Sequence, residues 1–139
     1  MNSTIVIFPG TNREHDMVMA VEQASGKKPH FVWYNDKSFP KTDLIIVPGG
    51  FSYGDYLRSG AMAARSPAMN SVLEYASKGV PILGVCNGFQ ILTEVGLLPG
   101  ALIRNKNLKF ICRNVNIKVE VNDSIFTSRY SKGQILSIP

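Results

Sequence analysis

Cys86 lies between two glycines, Gly84 and Gly88, in a G-x-C-x-G pattern. This spacing is the thiol counterpart of the nucleophile elbow, in which a sharp strand-to-helix turn holds the nucleophile above a sheet. Such a turn strains the backbone of its central residue, and the flanking glycines let neighbouring backbone approach without a Cβ clash. The pattern therefore predicts that Cys86 is a nucleophile.

The residues around Cys86 predict how the thiol would be activated. Residues 80–85 form an apolar run typical of a strand buried on both faces, and a helix is predicted from Gly88 to a stop at Gly96. The positive end of that helix favours thiolate over thiol. The backbone N–H of Asn87 is expected to point to where an oxyanion would form. The alternative interpretation is a buried structural cysteine on an ordinary turn.

A second unusual segment, residues 48–60, is rich in glycine and tyrosine. Such a composition indicates backbone that approaches a ligand closely, and the N–H groups after Gly49 are candidates for the other half of an oxyanion hole. The alternative interpretation is a flexible surface loop.

The elements that position these segments are short apolar strands alternating with helices. Strands are predicted at 4–8, 31–34, 44–47 and 80–85, and helices after a cap at Thr11 or Asn12 and after Ser66-Pro67. This order predicts an α/β fold with a parallel sheet sandwiched by helices. Because active sites in such sheets lie beyond the carboxyl ends of the strands, the turns at 9–11, 48–50 and Cys86 should meet.

The C-terminal part of the chain has a different pattern. Apolar and polar residues alternate from Val115 to Val121, which is typical of a strand with one solvent-exposed face, and another strand begins at Gln134. Cys112 has no glycine bracket and is interpreted as a structural residue within a strand. The chain ends inside the last predicted strand, so the domain looks unfinished.

Composition excludes several classes of protein. The 139 residues are 45% hydrophobic and 18% charged, which is typical of one globular domain. The net charge of +5 comes from scattered basic residues, and this distribution does not favour a nucleic-acid partner. Two cysteines make no disulfide framework and suit a reducing compartment. No signal peptide or membrane-spanning run is found, and no metal site is predicted. A cytoplasmic location without a membrane partner is expected.

A thiol nucleophile of this kind needs a general base, and the histidines do not provide an obvious one. Only His15 and His30 occur, and both precede Cys86. The predicted topology places His15 at the same sheet edge as Cys86. Because His15 lies between Glu14 and Asp16 in the first turn of a helix, it is interpreted as an ordinary exposed histidine. His30 opens a strand at the opposite edge. No base for Cys86 is predicted among these residues.

Four segments carry a resemblance to a known family. They read FPGTNRE at 8–14, PGGFSYGDYLR at 48–58, GVCNGFQ at 84–90 and LLPGAL at 97–102. Together they resemble class I glutamine amidotransferases, and the longest segment resembles the glutaminase subunits that serve an ATP-dependent synthetase of purine biosynthesis. The resemblance covers the chain from end to end and implies a flavodoxin-like domain.

The resemblance implies a mechanism and partners. Cys86 would attack the side-chain amide of glutamine, forming a glutamyl thioester and releasing ammonia. The N–H groups of Gly50 and Asn87 would form the oxyanion hole, and the residues expected to hold glutamine are Gly49, Phe51 and Gln90. Ammonia would pass to the synthetase, which converts formylglycinamide ribonucleotide to its amidine together with a small third subunit. ATP and Mg would be used by that synthetase, so no cofactor is expected in this chain.

The family's catalytic His and Glu form a His-x-Glu pair in a C-terminal segment that this sequence does not contain. We therefore expect residues 1–139 to be an amidotransferase domain truncated before that pair, with little or no activity alone. Two alternatives remain open. One is a hydrolase of the related superfamily of chaperone-like and intracellular-protease-like proteins, with Glu14 beside the cysteine. The other is a non-catalytic module that docks on the synthetase or holds glutamine.

Overall fold

The computed structural model describes residues 1–139, which form two compact units, Met1–Leu102 and Ile103–Pro139. The first unit contains a four-stranded parallel sheet in the order β2-β1-β3-β4. The strands are β1 (Ser3–Ile7), β2 (His30–Trp33), β3 (Leu44–Val47) and β4 (Ile82–Gly84). The α-helices are α1 (Glu14–Ser25), α2 (Pro67–Ser77) and α3 (Asn87–Glu94), and two 3-10 turns span Ser52–Asp55 and Ala63–Arg65.

Helices cover both faces of this sheet. On one face, Val6 of β1 and Val47 of β3 pack in a core that includes Met69 of α2 and Ile91 of α3. On the other face, Ile5 and Ile46 pack against α1, whose contacting residues are Met17, Val18 and Val21. Successive residues of one strand thus enter opposite cores, which explains why the strands are continuous apolar runs. The predicted α/β architecture is confirmed.

Strand β4 is shorter and more exposed than the run 80–85 predicted. It covers only Ile82–Gly84, and its residues are half-buried rather than enclosed on both faces. The reason is its place in the sheet, because β4 pairs with β3 alone and lies at an edge. Strand β3, in contrast, has the predicted bounds.

The predicted N-terminal cap is present in α2 and absent in α1. Ser66 caps α2, accepting a hydrogen bond from the Met69 N–H, as predicted. Neither Thr11 nor Asn12 caps α1, since the preceding residue is Arg13 and no side chain bonds the first turn. The Thr11 hydroxyl instead accepts the Phe8 N–H at 3.0 Å, inside the turn after β1.

The second unit contains an antiparallel pair, β5 (Val115–Lys118) and β6 (Ile135–Ile138). Both strands were predicted, and β5 carries the alternating residues. However, Val115 and Ile117 are exposed along with their polar neighbours, so β5 lacks the buried face that the alternation predicted. No helix of the structure is long and apolar enough to cross a membrane.

Candidate active site

The three turns at the carboxyl ends of β1, β3 and β4 meet, as the sequence predicted. Three backbone hydrogen bonds join the turn after β1 to the segment after β3. The Phe51 N–H donates to the Gly10 carbonyl at 3.1 Å, the Tyr53 N–H to the Pro9 carbonyl at 2.7 Å, and the Asn12 N–H to the Gly49 carbonyl at 3.3 Å. The third turn is equally close, since a Cβ placed on Gly49 would lie 3.3 Å from the Cβ of Cys86. The candidate residues therefore share one edge of the sheet.

Cys86 occupies the strained position of a strand-to-helix elbow. It joins β4 to α3 with φ +54° and ψ −112°, a backbone conformation that a non-glycine residue rarely adopts. Its side chain is exposed. Strain of this kind persists only where the surrounding structure enforces it, and it is concentrated at functional sites. The structure confirms the predicted turn and its strain, and it excludes a buried structural cysteine.

The glycine bracket has a direct steric cause. A Cβ on Gly88 would lie 1.8 Å from the carbonyl oxygen of Val47, because the first turn of α3 passes against the end of β3. A Cβ on Gly84 would lie 2.8 Å from the carbonyl oxygen of Gly88. Both distances are shorter than real Cβ contacts, so the elbow closes only if these two positions are glycine.

The two predicted oxyanion-hole donors are backbone N–H groups at the same edge. Asn87 is the first residue of α3, where an N–H has no partner within the helix. Gly50 has φ +144°, and a Cβ there would lie 2.6 Å from the carbonyl oxygen of Gly10, so this position also requires glycine. Neither N–H donates a hydrogen bond to another protein group. Both N–H groups are therefore unpaired within the protein.

The predicted glutamine-binding residues lie around this edge. Gly49 borders Cys86, with an Arg13 side-chain carbon 3.4 Å from where its Cβ would be. The Phe51 ring is exposed. Gln90 lies one turn into α3 and is half-buried.

The contacts of the Asn87 side chain were not predicted from the sequence. This side chain is only 2% exposed, and its Oδ1 accepts the Ser52 backbone N–H at 2.9 Å. Its Nδ2 donates to the Oε1 of Gln90, also at 2.9 Å. One side chain thus joins the segment after β3 to the helix that follows Cys86. The sequence offered one indication of these contacts, because Asn87 is a polar residue that follows Cys86 directly and begins α3 without capping it.

The segment after β3 also contains strain that was not predicted. Tyr53 and Asp55 both have φ near +50°. The Oδ1 of Asp55 is buried without a hydrogen-bond partner, and burial raises the pKa of this carboxyl, while hydrogen bonding by Ser59 and Asn87 opposes the rise. Burial and the nearby Tyr34 raise the pKa of the Tyr53 phenol. The N–H groups of Phe51, Ser52 and Tyr53 donate hydrogen bonds to the neighbouring turns, which tie the first part of this segment to the sheet edge.

Both histidines and the second cysteine lie outside the elbow. His15 is exposed in the first turn of α1, and His30 begins β2 at the amino end of the sheet, as interpreted from the sequence. Cys112 is exposed and lies outside any strand, so the prediction that it lies within a strand is wrong.

Comparison with known proteins extends over the whole chain. Residues 1–139 match the family described as CobB/CobQ-like glutamine amidotransferase domain. The chain is 57% identical over 140 residues to the phosphoribosylformylglycinamidine synthase subunit PurQ of Rhodospirillum rubrum, covering 100% of this chain and 61% of that protein. It is 58% identical to the same subunit of Rhodopseudomonas palustris strain BisB18, covering 100% of this chain and 60% of that protein.

A solved structure is also similar. It is the structure of PurLQS from Thermotoga maritima, with a TM-score of 0.88 and 46% sequence identity, covering 99% of this chain and 64% of the matched chain. The chain therefore spans about three-fifths of the length of the relatives that it matches.

Proposed function

Since the chain belongs to the CobB/CobQ-like glutamine amidotransferase family, we propose that it supplies the glutaminase site of a phosphoribosylformylglycinamidine synthase. Its role would be to release ammonia from glutamine for purine biosynthesis. The observation that supports this most strongly is the strained elbow at Cys86, with two unpaired backbone N–H groups at the same sheet edge.

In the proposed reaction, the Sγ of Cys86 attacks the side-chain carbonyl carbon of glutamine, and the carbonyl electrons move onto its oxygen. The N–H groups of Gly50 and Asn87 stabilise that oxyanion. When the tetrahedral intermediate collapses, the C–N bond breaks and ammonia leaves after taking up a proton. Water then attacks the thioester carbon, releasing glutamate and regenerating the thiol.

Three residues are proposed to hold the glutamine. Gly49 keeps the approach to the thiol open, because a side chain there would press against Cys86. The exposed Phe51 ring offers an apolar surface for the methylene groups of glutamine. Gln90 lies on the helix that begins beside Cys86, and its amide is fixed by Asn87.

The general base is proposed to come from outside residues 1–139. His30 lies at the wrong end of the sheet, and His15 is an exposed residue of α1. The chain spans about three-fifths of the length of its matched relatives, and we propose that the base is the histidine of a His-x-Glu pair outside residues 1–139. We expect the 139-residue chain to bind glutamine and to show little or no turnover alone.

The partners follow from the relatives. One relative is named as a synthase subunit, and the similar structure is described as PurLQS. We propose that ammonia passes to an ATP-dependent synthetase, with a small third subunit, and that ATP and Mg are used by the synthetase. Two free exposed cysteines fit a reducing cytoplasm.

A covalent label tests the proposal and its alternatives. We expect the chloroketone analogue of L-glutamine to alkylate the chain saturably at one site, and we expect L-glutamine or Cys86→Ser to prevent it. A non-catalytic docking module would not be labelled, and an elbow-cysteine hydrolase would be labelled without protection by glutamine. Ammonia release by the chain alone at the rate of an intact family member would contradict the proposed external base.

A further inference from the structure

Arg58 joins the far part of the segment after β3 (residues 48–60) to the last residue of α3 through an ion pair with Glu94. We propose that Arg58 and Glu94 are positioning residues, and that their ion pair clamps the segment that carries Gly50 against the helix that begins at Asn87. This inference rests on the proposed function, because Gly50 and Asn87 are the residues assigned there to the oxyanion hole.

The ion pair has the geometry of a strong pair. The Nε of Arg58 donates to Oε2 of Glu94 at 2.9 Å, and its Nη2 donates to Oε1, so both carboxylate oxygens are bound. Ion pairs on a surface usually contribute little, but a two-point pair between a guanidinium and a carboxylate is an exception. The Glu94 side chain is only 20% exposed. The hydrogen bonds from Arg58 lower the pKa of the Glu94 carboxyl, so the pair is ionised at neutral pH.

The clamp acts on a strained stretch of backbone. Tyr53, Gly54 and Asp55 have φ of +53°, +67° and +52°, so three successive residues are left-handed and two of them are not glycine. Such strain persists only where the structure on both sides enforces it. On the side of Gly50, three backbone N–H groups supply that restraint. A restraint is therefore needed on the other side as well.

On that other side, Arg58 supplies the restraint. Tyr56 is 91% exposed and Leu57 is 68% exposed, so neither side chain is held by packing. The segment then passes directly over α3, since a Cβ on Gly60 would lie 2.9 Å from the backbone nitrogen of Ile91. The ion pair with the end of the same helix thus fixes the strained stretch to α3.

Loss of the clamp would reach the candidate active site through two contacts. The Asp55 carboxyl hydrogen-bonds Asn87, but one of its oxygens is buried without a partner, so this contact depends on the segment being held against α3. The Asn87 side chain in turn accepts the Ser52 N–H, two residues after Gly50. A released segment would therefore move the Gly50 N–H away from the Asn87 N–H, and the two donors would no longer converge on one oxyanion.

Two near-isosteric variants remove the ion pair, Arg58→Gln and Glu94→Gln. The test reaction is alkylation of Cys86 by the chloroketone analogue of L-glutamine, whose carbonyl oxygen takes up negative charge when the sulfur attacks. Each variant should lower kinact about tenfold, because that charge is less well stabilised. KI should stay near its wild-type value, because the residues proposed to hold glutamine lie outside the strained stretch. The double variant should lose no more than either single variant, since both residues act through one contact.

Two controls separate positioning from general damage to the fold. Iodoacetamide alkylates a thiol without forming an oxyanion, so its rate at Cys86 should match wild type in every variant. Glu74→Gln is the matched substitution elsewhere, because it breaks the exposed ion pair with Lys78 on α2. It should leave kinact unchanged.

Hydrogen exchange measures release of the segment directly. The Tyr53 N–H donates to the Pro9 carbonyl at 2.7 Å, and its exchange should become about tenfold faster in Arg58→Gln. The Tyr34 N–H, which donates to the Ile7 carbonyl at 2.8 Å, reports on the sheet and should keep its rate.

Specific results would overturn the inference. An unchanged kinact in Arg58→Gln would show that the ion pair does not position the oxyanion hole. Losses that add in the double variant would show that Arg58 and Glu94 act separately. An equal loss with iodoacetamide would show damage to the elbow itself. If wild type shows no saturable labelling, the proposed function fails, and exchange at Tyr53 decides the clamp alone, because an unchanged exchange rate would refute it as well.

Discussion

Gly88→Ala is the sharpest perturbation that the elbow offers. The new Cβ would lie 1.8 Å from the carbonyl oxygen of Val47 and 2.6 Å from its carbonyl carbon. Ordinary contacts begin at 3.4 Å, so α3 and the end of β3 would have to separate by more than an ångström. Neither group is the flexible end of a side chain, because both belong to the backbone of packed elements.

The expected loss of stability follows from the backbone of α3 and β3 that must move. Overpacking a well-packed core by one methyl group usually costs about 1–3 kcal/mol, and here the clash is with backbone on both sides. We expect Gly88→Ala to lower the free energy of unfolding by more than about 3 kcal/mol, or to prevent folding. Gly26→Ala is the matched control. Gly26 has φ +68° with no atom within 4 Å of its would-be Cβ, so only left-handed strain of about 1 kcal/mol is expected.

Urea unfolding of both variants, followed by circular dichroism and fitted with a common m value, measures the difference. We expect the loss of unfolding free energy in Gly88→Ala to exceed the loss in Gly26→Ala by at least about 2 kcal/mol. Equal losses would show that α3 can move away from β3 without penalty, and the steric explanation of the glycine bracket would be refuted.

Three further variants test local features by urea unfolding. Because burial raises the pKa of Asp55 in the fold, the native state holds that proton more tightly than the unfolded chain, so stability falls as pH rises above about 4. The advantage of Asp55→Asn over wild type should therefore be larger at pH 7 than at pH 4, and equal differences would contradict the assigned cause. Ser66→Ala removes the α2 cap at Met69 and should cost about 1 kcal/mol, with Ser66→Thr near wild type. Thr11→Val leaves the Phe8 N–H without its acceptor and should cost about 1–2 kcal/mol, which Thr11→Ser should restore.

Features determined by local sequence were predictable. The apolar run Leu44–Val47 predicted the bounds of β3 correctly, because a central parallel strand is buried on both faces and is apolar along its whole length. The spacing of Gly84 and Gly88 around Cys86 predicted the elbow and its strain. The atoms that a side chain at these positions would meet lie in the elbow itself and in the adjacent strand β3.

Features determined by distant partners were not predictable. Threonine is a residue type that often caps helices, but Thr11 pairs with Gly50 in the segment after β3 and so belongs to the turn after β1. The Thr11 hydroxyl therefore accepts the Phe8 N–H and does not cap α1. The alternation at Val115 and Ile117 shows which side chains share a face of β5. It does not show whether that face is covered, and in the structure it is exposed.

The candidate site combines both kinds of information. Sequence spacing identified Cys86, Gly50 and Asn87 as one group, because topology places the ends of parallel strands at one edge. The bond from Ser52 to Asn87 joins residues 35 positions apart, and no local pattern specifies it. The position and the strain of the turn at Cys86 were therefore predictable from the sequence, whereas the contact between Asn87 and Ser52 required the structure.

A comparison of the two thiols of this chain tests whether Cys86 is a nucleophile within a glutamine site. Cys86 and Cys112 are both free and exposed, so Cys112 is an internal control for ordinary thiol reactivity. Peptide mapping by mass spectrometry gives the ratio of their alkylation rates, first with iodoacetamide and then with the chloroketone analogue of L-glutamine. We expect the ratio of the Cys86 rate to the Cys112 rate to rise at least tenfold with the glutamine analogue, and we expect L-glutamine to abolish the rise. The same ratio for both reagents would contradict this expectation.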